Sequence, residues 1–296
     1  MIFTVAKRST SKAVDLYYKI IEKCTPSASP ASWIIIIPGG PGGDHKLALE
    51  YAKDLSHFAH IVLFDPRGCG NSGFNHVDEC TLSQAVEDLE ALRIHLNISQ
   101  PILLGGSYGS LVALSYALKY PKQLSHLILN SGLYNGSKIT KEAKKQLKLV
   151  ANSRQTKLGL KLLDGKLSGP KDVLDYYHYM MPLYIDGDNR NPVTTVPSKA
   201  TPQALEKSAR TVQILNKWFS TWSLSVDLSK QLGHISTPTL ILAGACDFIV
   251  AAQNSIEMHH LIKGSQLKIF PHAGHMIWKN NHNEFVSSIG LWLKEH

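Results

Sequence analysis

Three side chains in this 296-residue sequence stand where chemistry would need them: Ser107, Asp247 and His275. Ser107 lies in Gly105-Gly106-Ser107-Tyr108-Gly109, the pattern G-x-S-x-G, after the apolar run Ile102-Leu103-Leu104 and before a stretch of small and apolar residues. Such a sequence turns a strand sharply into a helix and leaves the serine exposed at the tip. Gly105 and Gly109 leave room for strand and helix to approach, and the serine takes a strained backbone conformation. At the helix N-terminus it meets unpaired N–H groups and a dipole that favour developing negative charge. A serine hydroxyl is a weak nucleophile at its own pKa and needs a base within hydrogen-bond reach. His275 is that base, taking the proton and returning it to a leaving group, while Asp247 fixes the imidazole tautomer and stabilises the imidazolium. His272 is the rival base; His275 is preferred because it lies deeper in its loop and follows a glycine. Asp247 has a plainer alternative role, capping the helix that follows it. The chemistry implied is acyl transfer through a covalent intermediate.

An oxyanion needs donors, and Pro38-Gly-Gly-Pro-Gly-Gly43 offers bare backbone N–H groups rather than a good strand or helix. One donor is expected from Tyr108, the residue after the nucleophile, and the other from Gly40. The loop lacks the G-K-[ST] and G-x-G-x-x-G spacings of a phosphate cradle. Asp65 and Arg67, in Asp65-Pro-Arg-Gly-Cys-Gly-Asn-Ser72, are expected to order the loop beside the pocket. Cys69 in that loop has no histidine at a suggestive position, and Ser107 holds the better geometry.

These residues need rigid elements behind them. Short β-branched or alternating runs predict strands at 2–5, 13–20, 33–37, 60–64, 101–104, 124–130, 238–243 and 266–270. A polar turn at 7–12 and a Pro/Ser-rich connector at 25–32 join the first three. Helical patterns fall at 47–55, 82–96, 110–119, 253–262 and 283–294. This alternation defines an α/β chain with a mostly parallel central sheet flanked by helices. The rhythm breaks after Gly132; residues 134–233 read as helical and Lys-rich, without a strong strand run. The expected organisation is a sheet domain in two parts, 1–133 and 236–296, with an inserted helical cap at 134–235. The cap would cover the carboxyl ends of the strands, where open α/β sheets bind ligands. Ser107, Asp247 and His275 all follow such strand ends, in the chain order of the α/β-hydrolase fold.

Composition sets limits on partners. A hydrophobic share of 44% with 18% charged residues describes a globular chain rather than a disordered one. Much of the net charge of +8 sits at 138–166 without an Arg-rich arm or zinc-finger spacing, and reads as a solvated helical face, not a nucleic-acid or membrane site. Cys24, Cys69, Cys80 and Cys246 are scattered, which argues against a metal site or disulfide framework and for a reducing compartment. The N-terminal residues show no secretory h-region, and the run 33–37 is too short to span a bilayer. The expectation is a cytoplasmic protein acting on a small molecule or short peptide, with no cofactor and no metal. Oligomeric state has no signature in the sequence.

The sequence also resembles the proline iminopeptidase group of α/β-hydrolases. The matching pieces are PGGPGG (38–43), IVLFDPRGCGNSG (61–73), AVEDLEALRIHLNI (85–98), ILLGGSYGSLVALSYALKYP (102–121), LILAGACDFIV (240–250) and FPHAGH (270–275). The group's patterns read HGGPG, DQRGxGxS and GGSWG. The resemblance implies a serine peptidase releasing an N-terminal residue, preferentially proline, with Ser107, Asp247 and His275 as its triad. Two departures stand out. Pro38 replaces the histidine that opens HGGPG. Ser223, in Trp218-Phe-Ser-Thr-Trp222-Ser223, replaces the glutamate of W-x-x-W-E that helps hold the substrate's α-amino group. Glu206 and Asp227 are the remaining cap acids named for that amine. The cluster Tyr176-Tyr-His-Tyr-Met-Met181, with Tyr184, is either cap core or pocket lining. Tyr179, Trp218 and Trp222 are the candidate substrate contacts. An esterase or amidase of neutral acyl groups is the alternative activity, and a catalytically silent binding protein the alternative class.

Overall fold

The structure is a computed structural model that describes residues 1–5, 13–24, 32–187, 193 and 199–296. The turn expected at 7–12 and all but Ser32 of the connector expected at 25–32 lie outside the described residues. Eight strands, β1 (Ile2–Val5), β2 (Val14–Ile21), β3 (Trp33–Ile37), β4 (His60–Phe64), β5 (Ile102–Gly106), β6 (His126–Asn130), β7 (Thr239–Gly244) and β8 (Gln266–Phe270), form one sheet in the order β1-β2-β4-β3-β5-β6-β7-β8. β1 pairs with β2, and β2 with β4, in antiparallel fashion; every later pairing is parallel. This is the mostly parallel α/β sheet that the alternating pattern implies.

The helices are α1 (Leu49–Leu55), α2 (Leu82–His95), α3 (Tyr108–Lys119), α4 (Gly136–Val150), α5 (Ser153–Leu163), α6 (Pro170–Asp186), α7 (Pro202–Lys217), α8 (Ser223–Ser225), α9 (Ala252–Leu261), α10 (Ile277–Asn280) and α11 (His282–Glu295). A π-helical turn, Trp218–Trp222, links α7 to α8. The helix expected at 47–55 starts with a separate 3-10 turn, His45–Ala48, because the Asp44 side chain accepts from Lys46 N and caps it. α10 is absent from the sequence reading. Four residues are too few to display a helical period.

Trp33-Ile-Ile-Ile-Ile37 shows why the sheet is covered on both sides. Side chains alternate across a strand, so Ile35 and Ile37 join one buried cluster and Ile34 and Ile36 the other. The first cluster packs α2 and α3 against the sheet through residues such as Leu89 and Leu111. The second packs α1 and α11 against it through Leu55, Phe285 and Trp292. Leu147, Leu162, Tyr176, Met180 and Leu215, all from helices between β6 and β7, belong to the first cluster too. Those helices therefore share apolar core with the sheet.

Candidate active site

Ser107 follows β5 directly, with φ 52° and ψ −120°, and α3 begins at the next residue. A side chain pays for this left-handed conformation in strain, which persists only where the surroundings over-determine it. The surroundings here are tight. A Cβ on Gly105 would lie 2.4 Å from the Gly109 carbonyl oxygen, and one on Gly109 would lie 2.2 Å from that of Ile37. Only glycine at both positions lets β3, β5 and α3 converge on the turn. Ser107 N–H donates to the Asn130 carbonyl at 2.9 Å, which fixes the turn to the end of β6.

His275 lies in the loop after β8, buried, with Nδ1 2.6 Å from Asp247 Oδ2. Asp247, in the loop after β7, is itself buried, and its Oδ1 accepts from Ile249 N and Val250 N, each at 2.9 Å. Those main-chain donors hold the carboxylate in place. With Nδ1–H donating to it, the imidazole keeps Nε2 free as a base. The Tyr184 ring meets the imidazole edge-on at 5.4 Å, and the His275 carbonyl accepts from Ser131 Oγ at 2.9 Å. His272 is exposed. Of the two histidines, only His275 meets the carboxylate.

Ser107 and His275 line one cavity of about 130 Å³, together with Gly40 and Asn130. Gly40 has φ 135°, a conformation natural to glycine, and sits on the loop that closes one side of the cavity. Tyr108 N is the first N–H of α3 and has no intrahelical acceptor. Gly40 and Tyr108 thus supply the two main-chain sites from which an oxyanion would draw its donors.

The expected substrate contacts fare differently. Tyr177, Met181 and Tyr184 line the cavity, spaced i, i+4, i+7 along one face of α6. Tyr179 lies outside that stripe; its ring carries the Arg154 guanidinium at 4.6 Å, and its carbonyl accepts from Gln155 Nε2. Trp218 packs edge-on against Tyr108 at 4.9 Å, behind the turn rather than in the cavity. Trp222 packs on the apolar cluster of the cap helices. Phe219 and Leu215 take the wall positions instead, with Leu162, Tyr51 and Trp278. The spacing of 177, 181 and 184 would have revealed the α6 stripe. Trp278 carried a weaker signal, its nearness to His275 in sequence.

No carboxylate lines this cavity among the described residues. Ser223 is fully buried against Gly136 and is not on the wall, and Glu206 and Asp227 are exposed elsewhere. Burial holds the Tyr184 hydroxyl well above its ordinary titration range, so that group stays neutral. The wall is apolar apart from a few fixed dipoles and the imidazole.

Asp65 and Arg67 do order the neighbouring loop. Asp65 is fully buried; Oδ1 accepts from His45 N at 2.8 Å and lies 2.7 Å from His45 Nδ1, and Oδ2 accepts from Asn71 N at 2.8 Å. Arg67 forms a two-pronged pair with Asp88, Nε at 3.0 Å and Nη2 at 2.7 Å. Asp44, His45 and Asp65 gather their ligand-type atoms within 4.8 Å, but both Asp65 oxygens already serve the loop.

Sheet order, the turn at Ser107 and the Asp247–His275 pair together define a hydrolase of the α/β class. The alpha/beta hydrolase fold family matches residues 32–281, and the chain belongs to that family. Along nearly its whole length it is similar to proline iminopeptidases. That of Lactobacillus crispatus (strain ST1) is 27% identical over 288 residues, covering 95% of each chain. Among solved structures, a proline iminopeptidase from Mycobacterium smegmatis superposes with a TM-score of 0.70 at 19% identity, covering 100% of this chain and 98% of that one. A thermophilic esterase from Thermogutta terrifontis gives a TM-score of 0.72 at 20% identity, with the same coverages. No described helix is long and apolar enough to cross a membrane.

Proposed function

We propose that the protein is a serine hydrolase that works through an acyl-enzyme on Ser107. The observation that carries this reading is the Asp247–His275 pair opening onto the same cavity as a serine held in a strained strand–helix turn. In this mechanism His275 Nε2 takes the Ser107 proton as Oγ attacks the substrate carbonyl. The tetrahedral oxyanion is met by the N–H groups of Gly40 and Tyr108, and the imidazolium by Asp247. His275 then protonates the leaving amine or alkoxide. Water, activated by the same imidazole, attacks the ester carbonyl and restores Ser107. Helices α4–α8, in the expected cap segment 134–235, roof this cavity through Leu162, Tyr177, Met181, Tyr184, Leu215 and Phe219.

The substrate class we propose is a peptide with an N-terminal proline or another small residue, released one residue at a time. The whole-length similarity to proline iminopeptidases supports this, and a small apolar cavity suits a pyrrolidine ring. A second reading, an esterase or amidase of neutral acyl groups, is favoured by the absence of a carboxylate from the described wall. An ammonium leaving water would find no charged partner there. Proline-β-naphthylamide assayed beside p-nitrophenyl acetate and butyrate separates the two. Turnover of the naphthylamide supports the peptidase, and activity confined to the acyl esters removes it. Fluorophosphonate labelling that is present in the wild type and lost in Ser107→Ala is the expected result; a folded protein that never labels overturns both readings.

A further inference from the structure

Asn130 ends β6 in register with Gly106, and its carbonyl accepts the Ser107 N–H. Its side chain lines the cavity beside Ser107; the residue is 1% exposed, and its Oδ1 has no hydrogen-bond partner. Buried side-chain carbonyls are almost always paired. One left unpaired at the wall of a substrate cavity, next to the attacking oxygen, is placed to be completed by a donor that the substrate brings. Neighbouring polar groups are already engaged. Ser131 Oγ donates to the His275 carbonyl, His275 Nδ1 meets Asp247, and the Tyr184 hydroxyl pairs with that of Tyr176 at 2.8 Å.

We propose that Asn130 determines specificity, its side-chain carbonyl accepting an N–H from the nitrogen on the carbon next to the scissile carbonyl. This rests on the acyl-enzyme reading above. The substrate class it selects is an acyl group carrying an N–H donor at that position, such as a prolyl or free α-aminoacyl group, over its hydrocarbon isostere. An amide oxygen accepts from a neutral amine and from an ammonium alike. Recognition of the nitrogen therefore needs no carboxylate in the wall, which resolves the tension between the chain's relatives and its cavity.

The test compares kcat/KM for proline methyl ester and methyl cyclopentanecarboxylate, two rings of like size that differ in the N–H. In the wild type the proline ester is preferred on the order of tenfold, the scale of one hydrogen bond to a buried acceptor. Asn130→Leu brings the ratio close to one, and Asn130→Asp raises it where the amine is protonated. Because the readout is a ratio within each variant, a general loss of activity does not move it. A wild type without the preference overturns the proposal, as do variants that keep the wild-type ratio. If Asn130→Leu fails to fold, an unchanged ratio in Asn130→Asp overturns it alone. Failure of the acyl-enzyme reading looks different: neither ester is cleaved and Ser107 takes no fluorophosphonate.

Discussion

Replacing Ser107 by glycine and by alanine separates the cost of the turn from the chemistry done there. Both variants lack the nucleophile, and both are expected to lose activity and fluorophosphonate labelling. They differ in stability. Alanine keeps a Cβ at φ 52° and ψ −120°, a conformation that costs a non-glycine residue about 1–3 kcal/mol. Glycine escapes that strain but gives back about 0.5–1 kcal/mol through the greater freedom of its unfolded chain. The glycine variant is therefore the more stable by about 0.5–2 kcal/mol. At about 2 °C per kcal/mol for a chain of this size, it melts about 1–4 °C higher. Paired calorimetric scans of the two purified variants measure this directly. An alanine variant that melts at or above the glycine variant refutes the reasoning, since the backbone at 107 would then carry no strain to relieve.

Three other outcomes follow from the same geometry. Asp247→Asn keeps a carbonyl for the Ile249 and Val250 N–H groups but loses the acceptor that fixes the imidazole, so kcat falls by about 10³–10⁴ while the fold survives by circular dichroism. Gly109→Ala places a Cβ 2.2 Å from the Ile37 carbonyl oxygen; denaturant titration is expected to show a loss of about 1–3 kcal/mol, and an unchanged midpoint would contradict the close approach of β3 and α3. Burial pushes the Cys80 thiol up to about 12 and the Cys69 thiol higher still, whereas Cys24 and Cys246 are exposed. Brief iodoacetamide treatment at pH 8, read by peptide mass spectrometry, should mark the exposed pair and spare Cys69 and Cys80.

What the sequence revealed about this protein follows from how local each signal is. Ile34–Ile37 announces a strand covered on both faces within four residues, and Gly105-x-Ser107-x-Gly109 carries its own turn. Asp247 and His275 were legible because each sits just after a strand, where the fold places its loops. The wall of the cavity was not legible in the same way. Tyr179, Trp218 and Trp222 have suitable chemistry, but the packing of α6 on its neighbours and of Trp218 on Tyr108 decides which side chains face Ser107. Asn130 reads in one dimension as the end of a strand with no carboxylate to offer. Its value appears only once Oδ1 is seen buried without a partner.

The cap helices are fastened to the loops they cover. At the end of α6 the Tyr184 and Ile185 carbonyls accept from Met276 N and Gly274 N, each at 2.8 Å, on either side of His275. On the other flank Arg210 of α7 donates to the carbonyls of Gly70 and Ser72 in the loop anchored by Asp65, at 3.1 and 3.0 Å. Lifting this roof means unlatching the strand of chain that presents the base. A conformation open enough to release the cap is thus one in which the proton acceptor has lost its seat. Catalytic competence and closure become a single cooperative state, and the fluctuation that exposes Ser107 most widely is also the one that disarms it.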